Sequence, residues 1–273
     1  MPACAAFSSP NDAGTGRDMN MTDNGEAASD RLVLEVSGPD RSGFLQGLVT
    51  NDLGRLRDGL VYAALLTPQG KYLADFFLVP AGDTILVDAH AHQAGALQRR
   101  LMMYKLRANV SIVETPLFVR RGLGVAPIGA FADPRHPALG WRSYGAEPGK
   151  PQLTDWDAIR VANGIPEAGS ELIPDESYIL EAGFERLNGV DFRKGCYVGQ
   201  EVTARMKHKT ELRKGFVTVQ VEGDAAPGTA ILSGDKTAGQ LCTRSGNRAI
   251  AWLRFDRMDG ELRAGDARIL PER

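Results

Sequence analysis

Two β-rich runs, Leu60 to Leu66 and Tyr72 to Val79, flank the tripeptide Pro68-Gln69-Gly70. Proline and glycine between two such runs signal a hairpin turn, and this commits the first third of the chain to an antiparallel sheet. The flanking segments add to it. Leu32, Leu34 and Val36 alternate with Val33 and Glu35 as in a half-buried strand. Gly38-Pro39-Asp40 then turns the chain, with Asp40 as an N-cap, and Phe44, Leu45, Leu48 and Val49 follow at helical spacing. A strand over Thr84 to Asp88, a helix over His92 to Lys105 and a short strand over Val110 to Val113 complete the order β-α-β-β-β-α-β. Residues 30–115 therefore read as an α+β layer, with helices packed on a mostly antiparallel sheet.

Residues 116–211 are less regular. Leu117 to Ile128 reads as a strand and Asp133 to Pro137 as a loop. Thr154 to Ala162 reads as a helix with Thr154 as its N-cap, closed by Asn163-Gly164 and Pro166. Ile179 to Leu187 suggests a further helix. Over residues 212–273 the pattern changes to short apolar runs: Phe216 to Val221, Thr229 to Leu232, Ala238 to Leu241, Ala249 to Phe255 and Ala267 to Leu270. Gly and Asp turns separate them, which suggests a small antiparallel β-barrel. Residues 1–29, rich in small and polar types, read as a tail without assigned function.

Composition narrows the function. Of 273 residues, 43% are apolar and 24% charged, as in ordinary globular proteins. Lys and Arg number 32 against 34 Asp and Glu, a formal charge of −2, so no global field calls for a nucleic acid or an anionic membrane. No run approaches the ~20 apolar residues of a membrane helix. No charged segment followed by an apolar one marks a secretory signal. The three cysteines, Cys4, Cys196 and Cys242, form no CxxC pair, and the expectation is a reducing, cytoplasmic setting. P-loop, dinucleotide-binding, HExxH and GxSxG motifs are missing, which argues against the chemistry each supports. His90 and His92 lack a third ligand nearby, and no metal site is expected.

The run Arg193 to Lys209 carries the chemistry. Val198, Val202 and Met206 recur every four residues, so a helix beginning near Val198 would bury that stripe. Glu201 and Arg205 are spaced for an ion pair along it. Cys196 would stand just before the helix N-terminus, beside Arg193 and Lys194, where the positive field favours thiolate over thiol. Gly195 and Gly199 permit tight turns on either side. A buried structural cysteine is the plainer reading of Cys196, and the more natural one for Cys242. Two basic clusters could each hold a polyanion or form a solvated face: Arg205, Lys207, Lys209, Arg213 and Lys214, and Arg99, Arg100, Lys105 and Arg107.

Lys194-Gly195-Cys196-Tyr197-Val198-Gly199-Gln200-Glu201 resembles the signature of the YgfZ-like folate-binding proteins, within the superfamily of the glycine-cleavage aminomethyltransferase. Gly38 to Arg41 with Phe44 to Asp52, Leu66 to Lys71, Tyr104 to Arg107 and Gly164 to Pro166 extend the likeness over roughly residues 31 to 255. The run from Gly189 to Arg205 is most similar to the mitochondrial assembly factors of this type and their bacterial counterparts.

The resemblance implies a three-domain ring with ferredoxin-like α/β layers and a C-terminal barrel. Tetrahydrofolate would lie in a central channel near Asn51, Asp75, Arg107 and Trp156. It also implies help in assembling or repairing iron–sulfur clusters of client enzymes, such as radical tRNA-modifying enzymes. That role would run through the Cys196 thiol, with Arg193 and Lys194 lowering its pKa and Gln200 and Glu201 orienting it. A non-enzymatic, monomeric factor is expected. Departures from the transferases support this: Ala74-Asp75 replaces an acidic pair, Ala162 a glutamate, and Cys196 an aspartate. A folate-dependent aminomethyl- or methyltransferase using Asp75 is one alternative. An RNA-binding accessory factor using Arg205 to Lys214 is another.

Overall fold

The computed structural model describes residues 25–209 and 211–272. Most of the expected tail and Cys4 lie outside them. A five-stranded antiparallel sheet organises the first part of the chain, in the order Val61–Leu66, Tyr72–Ala81, Thr84–His90, Arg31–Ser37, Ser111–Glu114. Helices α1 (Arg41–Gln46) and α2 (Ala91–Lys105) cover one face through Leu45, Ala94, Leu97 and Leu101, which pack against Leu34, Val36, Phe76 and Val87. The opposite face presents Tyr62, Ala64, Phe77 and Val79 to a second core, with Trp156, Ile165, Phe184 and Leu187 from the following segment. All six residues of Val61–Leu66 are buried. That burial on both faces is why the run reads as continuously apolar instead of alternating.

A four-stranded sheet follows, in the order Glu26–Ala27, Phe118–Gly122, Trp141–Gly145, Phe131–Ala132. Several expectations change here. Residues 26–27 are not tail; they pair with Arg121 and Arg120. The strand read over Leu117 to Ile128 ends at Gly122, and Val125 and Ile128 stand in solvent. Helix α3 runs Trp156–Ala162, and Asp155, not Thr154, caps it by accepting from Ala158 N at 2.9 Å. The Thr154 hydroxyl instead donates to Glu26 Oε1. Ile179 to Leu187 forms consecutive turns, with Gly183 at φ 71° breaking any helix. Helix α4 spans Gln200–Lys209.

The chain closes in a six-stranded antiparallel barrel: Lys214–Glu222, Arg248–Arg254, Lys236–Ser245, Ala230–Ser233, Leu262–Ala264 and Ala267–Pro271. Leu262–Ala264 is a strand that the sequence reading misses, because three residues are too few to show alternation. Val219, Ile231, Leu241, Leu253 and Ile269 fill the interior.

Candidate functional site

Cys196 is an exposed free thiol at the apex of the loop 191–199. Both limbs of that loop are pinned. On the incoming limb Asp191 accepts from the Arg193 backbone N at 2.7 Å and from Arg55 Nη2 at 2.6 Å. These bonds hold its carboxyl below the usual range, against the opposing effect of burial. The Asp191 backbone N donates in turn to the Thr50 carbonyl.

Lys194 is buried, and its Nζ converges on three carbonyls: Gln46 at 2.7 Å, Val49 at 2.5 Å and Asn51 at 3.1 Å. Burial pushes its ammonium down to about 8. On the outgoing limb Tyr197 is buried, and burial raises its phenol to about 12. Gly199 sits at φ 84°, and a Cβ there would stand 2.6 Å from the Thr67 carbonyl of the hairpin turn. Gly70 fits equally closely under Val202, 2.8 Å from its Cβ. The hairpin and the start of α4 thus interlock through two glycines.

This arrangement corrects parts of the sequence reading. Helix α4 starts at Gln200, so Cys196 lies four residues ahead of it, beyond the reach of a first-turn helix field. The Lys194 ammonium is committed to carbonyls on the N-terminal layer instead of to the thiol. Arg193 is exposed beside the cysteine, as is Gly195. Glu201 pairs with Arg205 at 3.0 Å, as its spacing predicts, and therefore points along the helix. Gln200 contributes its backbone N, donated to the Tyr197 carbonyl. Asp191 and Arg55 were missed, although an Asp two residues before a loop N–H is a recognisable turn signal.

Of the four residues expected around folate, Asn51, Asp75 and Trp156 are buried and Arg107 is exposed. Asn51 is buried, with its amide donating to the carbonyls of Tyr62 (2.8 Å) and Asn188 (2.7 Å) and its Oδ1 accepting from Asp52 N. Asp75 accepts from the Tyr72 hydroxyl at 2.6 Å and the Tyr62 hydroxyl at 3.0 Å. Burial and the Asp75 charge keep both phenols protonated, well above their ordinary range. Trp156 is core, its Nε1 donating to Glu26 and its ring under the Arg121 guanidinium. Arg107 is exposed in the turn after α2.

Between the layers, Asp88 receives Arg31 (2.6 Å), Arg142 (3.2 Å) and Tyr144 (3.0 Å), while Asp133 receives Arg135 and Arg142. The guanidinium groups of Arg142, Arg135 and Arg31 lie 4.1, 4.9 and 5.5 Å from the Phe77 ring centroid. A pterin needs free carboxylate acceptors and an open face for stacking. Here those acceptors are paired and arginines surround the Phe77 ring, so the residues do not fit a pterin. Within the basic run, Arg205, Lys207 and Lys214 pair with Glu201, Glu185 and Glu181.

A thiol presented on a pinned loop is set in a two-layer α+β body with an appended barrel, and this architecture defines a protein of aminomethyltransferase-like fold. The comparisons agree with this class. The crystal structure of glycine cleavage system aminomethyltransferase T from Bartonella henselae shares the fold at a TM-score of 0.70, with 15% identity, over 90% of this chain and 83% of that one. Residues 213–273 match the family described as CAF17, C-terminal beta-barrel domain. The iron-sulfur cluster assembly factor IBA57, mitochondrial, of Homo sapiens is 31% identical over 85% of this chain and 78% of its own length. Its Mus musculus counterpart is 30% identical with the same coverage. The chain belongs to the IBA57 family of iron–sulfur cluster assembly factors. One expectation falls with this result: the cytoplasmic placement is overturned by relatives that are mitochondrial by name. That expectation rests on the cysteine count, and few cysteines do not single out the cytosol.

Proposed function

We propose that this chain is a non-enzymatic assembly factor that lends one thiolate, Cys196, to an iron–sulfur cluster in transit between a donor and a client. One observation carries this reading: Cys196 is exposed at the tip of a loop whose two limbs are locked to the body by Asp191, Lys194 and Gly199. A structural cysteine would be buried, and a resident centre would need several ligands. Among the described residues, no group of three or more His, Cys, Asp or Glu side chains is placed to hold a metal ion. A single thiolate supports contact that a partner completes.

In the exchange Cys196 releases its proton to solvent, its sulfur forms one bond to iron, and one bond from that iron to a donor ligand breaks. No electrons are transferred. Clients in this reading include radical enzymes that modify tRNA.

The test is Cys196→Ser, expressed at the native level in cells lacking the native protein, with cluster-dependent tRNA thiolation as readout. The expected result is failure to restore thiolation with an unchanged melting curve. Full restoration would remove the thiol from the function.

A further inference from the structure

The cysteine loop is tied to one wall of an open groove on the helical side of the five-stranded sheet. This groove, of about 600 Å3, runs between α1 and the 3-10 turn Leu53–Arg57 on one side and the Tyr72–Ala81/Thr84–His90 hairpin on the other. Leu53, Leu56 and Ile85 form an apolar floor, and the charged residues of its lining are Arg41 and Arg57, with no carboxylate among them. Gln46, on the α1 wall, gives its carbonyl to Lys194. Arg55, on the 3-10 turn of the same wall, binds Asp191. Anything seated in the groove therefore rests against the two elements that position Cys196.

Its chemistry selects a ligand class. Arg41 spends one nitrogen on the Gly38 carbonyl at 3.0 Å, and Arg57 has only the exposed Asp58 at 3.4 Å, so both guanidinium groups keep donors for an anion. At Gly43 and Gly82 nothing lies within 4 Å of where a Cβ would stand, which leaves the rim open to an approaching main chain. The floor has no aromatic ring on which a base could stack.

We propose that the groove receives an extended segment of the partner protein that exchanges the cluster at Cys196, with an apolar side chain on the Leu53–Leu56–Ile85 floor and a carboxylate against Arg41 and Arg57. This rests on the cluster-transfer reading above and adds the chemistry of the partner.

The test separates the two. A random dodecapeptide phage library is panned against the full chain carrying Cys196→Ser, so that capture is independent of the thiol. Enriched peptides are expected to place Asp or Glu within two residues of an apolar side chain. Their synthetic forms should bind at least tenfold more weakly to an Arg41→Glu/Arg57→Glu variant that melts at the same temperature. In cells, the groove variant with Cys196 intact should lose thiolation while the thiol alkylates at its normal rate. Basic or charge-independent peptides, equal binding to the groove variant, or full activity of that variant would each overturn the proposal. Restoration by Cys196→Ser would instead defeat the cluster reading and leave the peptide result standing.

Discussion

Lys194 donates from Nζ to the main-chain oxygen of Asn51 at 3.1 Å, joining the cysteine loop to the strand-and-turn layer that precedes it by 143 positions. With the Gln46 and Val49 carbonyls, this makes the ammonium a three-point clasp. Hydrogen bonds to a charged group contribute roughly 1.5–3 kcal/mol. Lys194→Met is expected to lower stability by about 2 kcal/mol and to speed amide hydrogen exchange over residues 191–199. Lys194→Arg should not rescue it, because a planar guanidinium cannot converge on three carbonyls as an ammonium does. Hydrogen-exchange mass spectrometry with thermal melts checks both.

The glycine interlock makes a second prediction. Gly199→Ala would place a methyl 2.6 Å from the Thr67 oxygen at φ 84°. Left-handed backbone alone costs about 1–2 kcal/mol, and the clash adds to it. A denaturant titration should show a loss of at least about 2 kcal/mol. Gly195→Ala, with nothing within 4 Å, should be near neutral.

Acid sensitivity should trace to Asp133. Burial raises its pKa, but Arg135 and then Arg142 outweigh that and hold the carboxyl far below its ordinary value of 3.8. A carboxylate depressed in the folded state stabilises it above the unfolded pKa and loses that contribution as pH falls toward the folded one. Stability should therefore decline below pH ~4 as protons bind the unfolded chain first. Asp133→Asn, less stable at neutral pH, should show a shallower decline. Melts between pH 2 and 7 decide it.

Tetrahydrofolate should leave the melting temperature unchanged at millimolar concentration. A ligand held at a hundredfold excess over its dissociation constant would add about 2.7 kcal/mol, which no melt would miss. Asp75→Ala should be destabilising instead, by about 1–3 kcal/mol, since it strands the buried Tyr62 hydroxyl and leaves the Tyr72 hydroxyl with Gln93 alone. A folate-dependent rise in melting temperature, abolished by Asp75→Asn, would reverse the assignment of Asp75 as a structural acceptor.

Much of the architecture was legible in the residue pattern. The hairpin at Pro68-Gln69-Gly70, α2 and most of the barrel follow from local periodicity and turn chemistry, and the exposed cysteine stood out through its glycine-flanked motif. What stayed hidden depends on contacts distant in sequence. Asp191 finds Arg55 across 136 positions, and Lys194 reaches Gln46 across 148. Neighbouring charge made Lys194 look like a partner for the thiol, whereas its side chain turns inward. Similarly, Ile179 to Leu187 has helical spacing, but Gly183 at φ 71° and packing of Phe184 on Tyr62 divide it into turns.

The five-stranded sheet is covered on both faces, by helices on one and by the Trp156–Leu187 region on the other. Its two coats are therefore not separable parts. Removing either would leave a broad apolar plane in water, so the Trp156–Leu187 region must be made before the sheet ahead of it can settle. During synthesis the first hundred or so residues would wait, exposed, for chain emerging roughly forty to seventy residues later. The barrel, whose apolar side chains are enclosed by its own six strands, carries no such debt to what precedes it.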